Sequence, residues 1–189
     1  MNQLSHLKKV VITAMLISMC VLLPMAFHAI PGAGPIILPM HIPVLLAGLI
    51  CGPVFGLIAG FSGPVLSAAL TGMPAGPMVP IMMIELSVYG GVTGLMMKVH
   101  TGRYSADLYI SMVAAMLCGR LVAGILWALI FFDGVYTIGI WATSYFVTSL
   151  PGIIIQMAFL PSLVMALERE RIIPLRYPVR VNSEAVPSF

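Results

Sequence analysis

Charged residues are scarce in this sequence, and their scarcity excludes most kinds of protein. Only 8% of the 189 residues are charged, whereas 60% are hydrophobic. A soluble domain carries roughly 25% charged residues, so nine basic and six acidic side chains cannot cover a surface that faces water. A transmembrane β-barrel needs alternating polar and apolar residues, and runs such as 81–84 and 128–132 do not alternate. The sequence therefore predicts an all-α integral membrane protein.

Motifs for ATP use, metal binding and hydrolysis are also missing. The chain has no Gly-x-x-x-x-Gly-Lys-[Ser/Thr] loop for nucleotide phosphates and no His-Glu-x-x-His pair for zinc. No Gly-x-Ser-x-Gly turn presents a nucleophile. Cys20, Cys51 and Cys118 have neither metal spacing nor a disulfide pattern, which favours free thiols. We therefore expect a protein that is not an enzyme and that has no cofactor, no metal and no nucleic-acid partner.

Long apolar runs predict six membrane-spanning helices, most of them near the length of about 20 residues that a bilayer requires. Segments rich in proline and glycine, at 30–40 and 71–80, separate some of the runs. Because each proline removes a backbone donor, we expect these segments to be apolar outer loops without regular helix. The six helices form one substrate-binding domain over residues 1–170, and a cytoplasmic tail follows at 171–189. The predicted helices cover 8–28, 41–51, 54–71, 81–98, 108–132 and 140–167, the last broken near Pro151 or Pro161.

The basic residues predict how these helices are oriented, because Lys and Arg beside membrane helices favour the cytoplasmic side. Six helices that start inside place eight of the nine basic residues on that side and none in an outer loop. Five or seven helices would place one basic cluster outside. We therefore predict that the N- and C-termini are both cytoplasmic. The eight residues are Lys8, Lys9, Lys98, Arg103, Arg169, Arg171, Arg176 and Arg180.

Small residues recur at every fourth position in two of the predicted helices. Gly52, Gly56 and Gly60 form one stripe, and Ala14 and Ser18 form a shorter one. Such stripes let a second helix approach closely, because they remove side-chain bulk from one face. The stripes have two interpretations, packing within this protein and docking of a partner membrane subunit. The spacing does not choose between them.

Two ionisable residues lie well inside predicted helices. A charge near the bilayer centre costs at least about 2.5 kcal/mol, so such a residue faces a partner or a cavity. Glu85 lies about one turn from the outer end of its helix, and Arg120 lies near the middle of the next one. One interpretation is a structural ion pair between them. The other is contact with a polar ligand, for which the planar fork of arginine suits a carboxylate.

Other polar and aromatic residues gather at the same predicted level. Tyr89 lies one turn from Glu85 on the same helical face. His41 begins the second helix, and Trp141 and Tyr145 lie in the outer part of the sixth. These residues are candidates for binding a substrate in an outward-facing pocket. Alternatively, the two aromatic residues belong to an interface belt, and the histidine caps a loop.

One stretch of the chain resembles a known family of transport proteins. It runs from His41 through Gly52-Pro53, continues through Leu70-Thr-Gly-Met-Pro74, and ends in Met82-Met-Ile-Glu-Leu-Ser-Val-Tyr-Gly90. These blocks resemble the substrate-binding S components of energy-coupling factor (ECF) vitamin transporters. The family's length and six-helix topology also fit the whole chain. The resemblance is strongest between residues 28 and 97.

The resemblance implies a bacterial plasma-membrane subunit that captures a water-soluble vitamin or precursor from outside with high affinity. Uptake would then depend on a separate EcfT-like coupling subunit and two cytoplasmic ATPase subunits. The family's Ala-x-x-x-Ala seam corresponds to Ala14 and Ser18, with serine in the second place. Arg120 favours an anionic substrate such as pantothenate, whereas a neutral pyrimidine would use Glu85. The alternatives are a stand-alone secondary carrier of a small polar solute and a scaffold protein that does not transport.

Overall fold

The fold is helical throughout the residues that the computed structural model describes, which are 4–27, 30, 32–99, 103–130 and 137–174. Six of the helical stretches there are long and apolar enough to cross a membrane, which confirms the predicted number. Because the number of spans is even, the first span starts on the same side of the membrane on which the last span ends. The elements are α1 (His6–Phe27), α2 (Ala33–Ile37), α3 (His41–Cys51), α4 (Pro53–Thr71), a 3₁₀ turn (Gly76–Met78), α5 (Val79–Met96), α6 (Tyr104–Ile130), α7 (Ile138–Ala142), a π-helical segment (Thr143–Thr148) and α8 (Leu150–Arg169).

The second span is a broken helix, and its outer part differs from the prediction. We expected residues 30–40 to hold no regular helix, yet α2 forms one turn of helix there. Pro35 is tolerated because it falls in the first turn, where its missing N–H has no helical partner. The α2 helix ends at Leu38, whose φ of 54° is left-handed, and the span continues as α3 from His41. The break puts the carbonyl groups of residues 37 and 38 within reach of other helices.

Glycines place α4 and α5 in direct backbone contact. A Cβ added to Gly56 would overlap the backbone of Gly90, and one added to Gly60 would overlap the backbone of Leu86. Both glycines are buried between the two helices. Gly52 ends α3 with a φ of 96° and lies beside the start of α4. Packing inside the protein therefore accounts for Gly56 and Gly60, which corrects our alternative that these two glycines dock a partner, whereas a Cβ at Gly52 would meet nothing within 4 Å and its positive φ explains the glycine there.

The last span departs most from a regular helix. We predicted one helix over 140–167, with a break near Pro151 or Pro161. Instead, α7 begins after Thr137, whose side chain accepts a hydrogen bond from the Ile140 N–H at 3.3 Å. A π-helical segment follows, and α8 starts at Leu150 with Pro151 in its first turn. The irregularity therefore lies before Pro151, in the segment that faces α6.

The core continues slightly past the predicted end of the domain. After α8 the chain turns at Arg171, where φ is 57°, and the backbone N–H groups of residues 172 and 173 donate to the Leu167 carbonyl. Ile173 is only 6% exposed and belongs to the central hydrophobic cluster. The packed domain thus extends at least to residue 173 rather than ending at 170. Residues 175–189 of the predicted tail lie outside the described residues.

Candidate functional site

A group of buried polar side chains lies at one end of the bundle, at the level that the charge pattern predicts to face outward. His41 is the first residue of α3, Glu85 lies in the first half of α5 and Tyr89 just past its middle, and Arg120 lies in the second half of α6. Each of the four is at most 5% exposed. The π-helical segment adds Tyr145, which contacts Glu85, and Phe146, which contacts Arg120. The structure therefore brings together residues that are up to about 80 positions apart in the sequence.

The Glu85 carboxylate is contacted from two sides. His41 Nε2 lies 3.8 Å from Oε1, and the Tyr145 hydroxyl donates to Oε2 at 3.4 Å. The imidazole also packs edge-on against the Tyr89 ring, with 4.9 Å between ring centroids. These contacts let the bundle hold a carboxylate away from bulk water, because a buried charge needs polar partners.

The Arg120 guanidinium is held in a fixed orientation. Nε donates to the Tyr89 hydroxyl at 3.1 Å, and Nη2 donates to Ser149 Oγ at 3.2 Å. The Phe146 ring lies 5.2 Å from the guanidinium carbon, which is within the range of a cation–π interaction. Two hydrogen bonds and one ring face therefore define where the remaining nitrogen, Nη1, is placed.

The backbone of Arg120 is anchored as well as its side chain. Trp141 Nε1 donates to the Arg120 carbonyl at 3.1 Å, and the indole lies directly against Gly124. The Tyr89 ring packs in the same way against Gly119. Small residues on either side of Arg120 thus admit two large aromatic rings. Trp141 consequently acts within the bundle, as a contact of α6, rather than as an interface anchor alone.

A direct ion pair between Glu85 and Arg120, one of our two interpretations of these residues, is not present among the described residues. The two charged groups are connected through other side chains instead, because Tyr89 occupies the place next to Arg120 Nε and His41 occupies the place next to Glu85. The Ser149 hydroxyl completes the connection by donating to the Tyr145 carbonyl at 2.5 Å. The contacts form a closed circuit, which we call the polar ring. Its members are His41, Glu85, Tyr89, Arg120, Tyr145 and Ser149.

Two residues that hold Arg120 were missing from the sequence prediction. Ser149 lies four residues after Tyr145, which lies four after Trp141, so helical spacing was a signal for it. Phe146 gave no such signal, because an apolar ring next to Tyr145 is equally typical of a lipid-facing position. Its approach to Arg120 depends on the π-helical segment, and π-helical turns often occur at functional sites.

The outer broken helix packs beside the polar ring. Gln156 of α8 is fully buried, and its Nε2 donates to the carbonyls of Ile37 and Leu38 at 3.4 and 3.3 Å. Gly152, one turn earlier, lies directly against the carbonyls of Ile36 and Ile37. The predicted outer loop is therefore fixed to α8 at the break between α2 and α3. His28, which the sequence placed at the end of the first helix, lies outside the described residues.

The stripe on α1 has a different setting from the glycine stripe. Ala14 and Ser18 are exposed on the outer surface of the bundle, and the Ser18 hydroxyl donates to the Ala14 carbonyl within the helix. Their neighbours Leu7, Val11 and Met15 are also exposed, at 72%, 51% and 64%. This face of α1 is available to lipid or to another membrane helix.

A concave surface lies between α4 and α5, away from the polar ring. It is open and almost entirely apolar, and it faces the region that lipid occupies in a membrane. Such chemistry does not suit a water-soluble ligand, so we do not assign the substrate to it. Its lining residues are Leu57, Ile58, Phe61, Ser62, Ile84, Ser87 and Val88.

Within the described residues, no three His, Cys, Asp or Glu side chains form a group that could hold a metal ion. The polar ring instead combines one carboxylate and one guanidinium with hydroxyl and imidazole groups. Such a set can bind a small polar molecule by hydrogen bonds and by charge. It offers no activated nucleophile next to a base.

Comparison with known proteins identifies the family. The family described as ECF transporter, substrate-specific component matches residues 8–166, which is most of the chain. No curated protein and no solved structure matches the chain. Members of this family are multi-pass plasma-membrane proteins that bind the transported substrate, and they are not enzymes. The chain therefore belongs to the family of substrate-specific components of ECF transporters.

Proposed function

We propose that the polar ring is the substrate-binding site of this ECF component. The observation that carries the proposal is the orientation of Arg120, a buried cation that is held by Tyr89, Ser149 and Phe146. Among the described residues, Nη1 has no acceptor, so this nitrogen is free to bind a substrate. A site that is oriented before binding loses less freedom when the substrate arrives, which favours high affinity.

The substrate that we propose is a water-soluble vitamin or precursor with a carboxylate, and pantothenate is the first compound to test. Arginine binds carboxylates well because it offers several N–H donors in one plane. The Glu85 carboxylate is already contacted by His41 and Tyr145, which lessens its repulsion of an anionic ligand. A neutral pyrimidine bound through Glu85 is the other outcome that the experiment has to detect.

Native mass spectrometry of the purified chain tests both parts of this proposal. We expect one small molecule to be retained without ATP, and added pantothenate to bind. Arg120→Ala should abolish binding while the protein remains inserted, whereas Arg169→Ala, at the exposed end of α8, should bind normally. If Arg120→Ala binds pantothenate as the wild type does, the polar ring is not the site. Transport by vesicles that contain this chain alone would instead support a stand-alone carrier.

Membership of the family implies partnership with an EcfT coupling subunit and ATPase subunits. We propose that the exposed face of α1 around Ala14 and Ser18 docks the coupling subunit. The small side chains allow close approach of a second helix, and α1 does not contribute to the polar ring. Ser18→Leu should prevent co-purification with a coupling module but leave substrate binding intact. Met15→Leu, which changes an exposed neighbour without adding bulk, is the matched control.

A further inference from the structure

Two buried hydrogen-bonding atoms next to the polar ring have no partner among the residues that the structure describes. They are His41 Nδ1 and Gln156 Oε1. His41 is 5% exposed and Gln156 is fully buried. Buried polar atoms without a partner are uncommon in proteins, because each has lost its hydrogen bonds to water without replacement. Two such atoms beside one candidate site point to a ligand that supplies the missing groups.

The contacts of Gln156 establish that its free atom is an acceptor. Its side-chain nitrogen faces the carbonyl oxygens of Ile37 and Leu38. The opposite orientation of the amide would bring its oxygen against two other oxygens, which have no hydrogen to share. The amide therefore donates toward the break between α2 and α3, and Oε1 is left to accept a hydrogen bond.

The same reasoning applies to His41. Nε2 faces the Glu85 carboxylate at 3.8 Å, so the proton of a neutral imidazole is best placed on that nitrogen. Nδ1 then carries a lone pair and accepts hydrogen bonds. With the imidazole neutral, both free atoms are acceptors, and a matching ligand has to offer hydrogens rather than lone pairs.

The break in the second span brings these two residues to the same place. The Leu38 carbonyl accepts from Gln156 Nε2 at 3.3 Å and from the His41 backbone N–H at 3.0 Å. Leu38 itself adopts a left-handed conformation, which a leucine rarely does. The unusual backbone therefore presents one carbonyl to both residues whose side-chain acceptors are unpaired.

We propose that His41 Nδ1 and Gln156 Oε1 form a subsite for the donor end of the substrate, opposite the end that Arg120 binds. Two acceptors require two donor hydrogens, so the matching group is a pair of hydroxyls or one uncharged amino group. An ammonium group suits the site less well, because it offers three donor hydrogens to two acceptors. This inference rests on the proposed function, since it assigns a second set of contacts to the same substrate.

The test compares ligand pairs that differ only in the donor group. The first pair is pantothenate and its dideoxy analogue, which lacks both hydroxyls. The second is hydroxymethylpyrimidine and its analogue without the amino group. Binding to the full chain in detergent is measured by calorimetry for wild type, Gln156→Met and His41→Gln. We expect wild type to prefer the donor-bearing member of one pair by roughly tenfold to a hundredfold, the range that loss of one or two buried hydrogen bonds gives.

Both variants should lose this preference. Gln156→Met, which lies outside the polar ring, should retain its affinity for the analogue without donors, and that retained affinity shows that this variant is folded, so a general loss of structure does not imitate the result. His41→Asn is the matched control, because its side chain carries an acceptor near the Nδ1 position and should keep the preference. Gln at position 41 reaches instead toward the place of Nε2.

Two outcomes overturn the inference in distinguishable ways. If wild type binds both members of a pair equally, or if both variants keep the preference, the substrate site stands and the donor subsite does not. Buried water bound to the two acceptors would give that result. If no donor-bearing probe binds to the wild type, the proposed function in its vitamin form fails, and this inference fails with it.

Discussion

Replacing Gly90 with alanine tests the backbone contact between α4 and α5. A Cβ at this position would lie 2.8 Å from the Gly56 Cα and still closer to the Gly56 carbonyl group, whereas ordinary contacts begin at 3.4 Å. Backbone atoms cannot rotate away as a side chain does, so the two helices have to separate by about 1 Å in a tightly packed interior. Tyr89, the neighbouring residue, would shift with α5, and its contact with Arg120 would change.

The adjacent residue provides the matched control. A Cβ at Gly91 would meet only the Leu57 side chain, at 2.9 Å, and Leu57 is 45% exposed and free to change rotamer. Both substitutions give the same gain in helix propensity, about 1 kcal/mol in water. Their difference in stability therefore isolates the helix contact, and overpacking of this kind costs about 1–3 kcal/mol.

Unfolding of the purified protein by SDS in mixed micelles, followed by tryptophan fluorescence, measures this difference. We expect Gly90→Ala to unfold at a lower SDS fraction than the wild type and Gly91→Ala to match or exceed the wild type. If the free energies of unfolding of the two variants agree within about 0.5 kcal/mol, the size of a neutral surface change, the described helix contact is refuted.

Three further predictions concern the polar ring and the end of the bundle. Phe146→Leu removes the ring beside the buried Arg120 guanidinium, a contact worth up to about 2 kcal/mol when desolvated. Calorimetry should therefore show up to about 30-fold weaker pantothenate binding. Phe146→Tyr keeps an aromatic ring and should bind normally, and equal weakening in both variants would contradict the cation–π contact. Trp141→Phe should lower the free energy of unfolding in SDS by about 1 kcal/mol through loss of one hydrogen bond, and an unchanged value would contradict that role. Ile173→Ser should lower the free energy of unfolding in SDS by about 1.5–3 kcal/mol. Ile172→Ser, at a 62% exposed position, should change it little. Equal effects of the two substitutions would show that the turn after α8 is not packed.

The helices themselves were largely predictable from the sequence, because runs of apolar residues and the prolines and glycines between them dominate it. The second predicted helix, 41–51, agrees with α3 at both ends. Gly52 ends the helix at a positive φ that glycine adopts readily, and Pro53 is favourable in the first turn of the next helix. The fifth was predicted to begin at 108 but begins at Tyr104. Polar residues in its first turn were interpreted as loop, although a helix end outside the bilayer tolerates them.

Five of the six members of the polar ring were predicted from the sequence, but Ser149 and the contacts that connect the members were not. Depth along each helix placed Glu85, Tyr89 and Arg120 at one level, because rise per residue is constant in a helix. Whether Arg120 meets Glu85 or Tyr89 depends on how the helices are rotated about their axes. The glycine contacts of α5 set its rotation, and the π-helical segment sets the rotation of the last span. Neither effect follows from a one-dimensional pattern of polar and apolar residues.

The position of α1 also determines how events at its surface can be linked to the polar ring. This helix packs mainly on α3 and α4, while the ring residues belong to α3, α5, α6 and the last span. Linkage between two binding events is reciprocal, so a partner on α1 that responds to the substrate also alters the affinity for that substrate. The Cys20 thiol contacts the Met40 carbonyl at 3.9 Å, one residue before His41. The start of α3 therefore contacts α1 through Met40 and the polar ring through His41, so any linkage between the two surfaces can be sought there first.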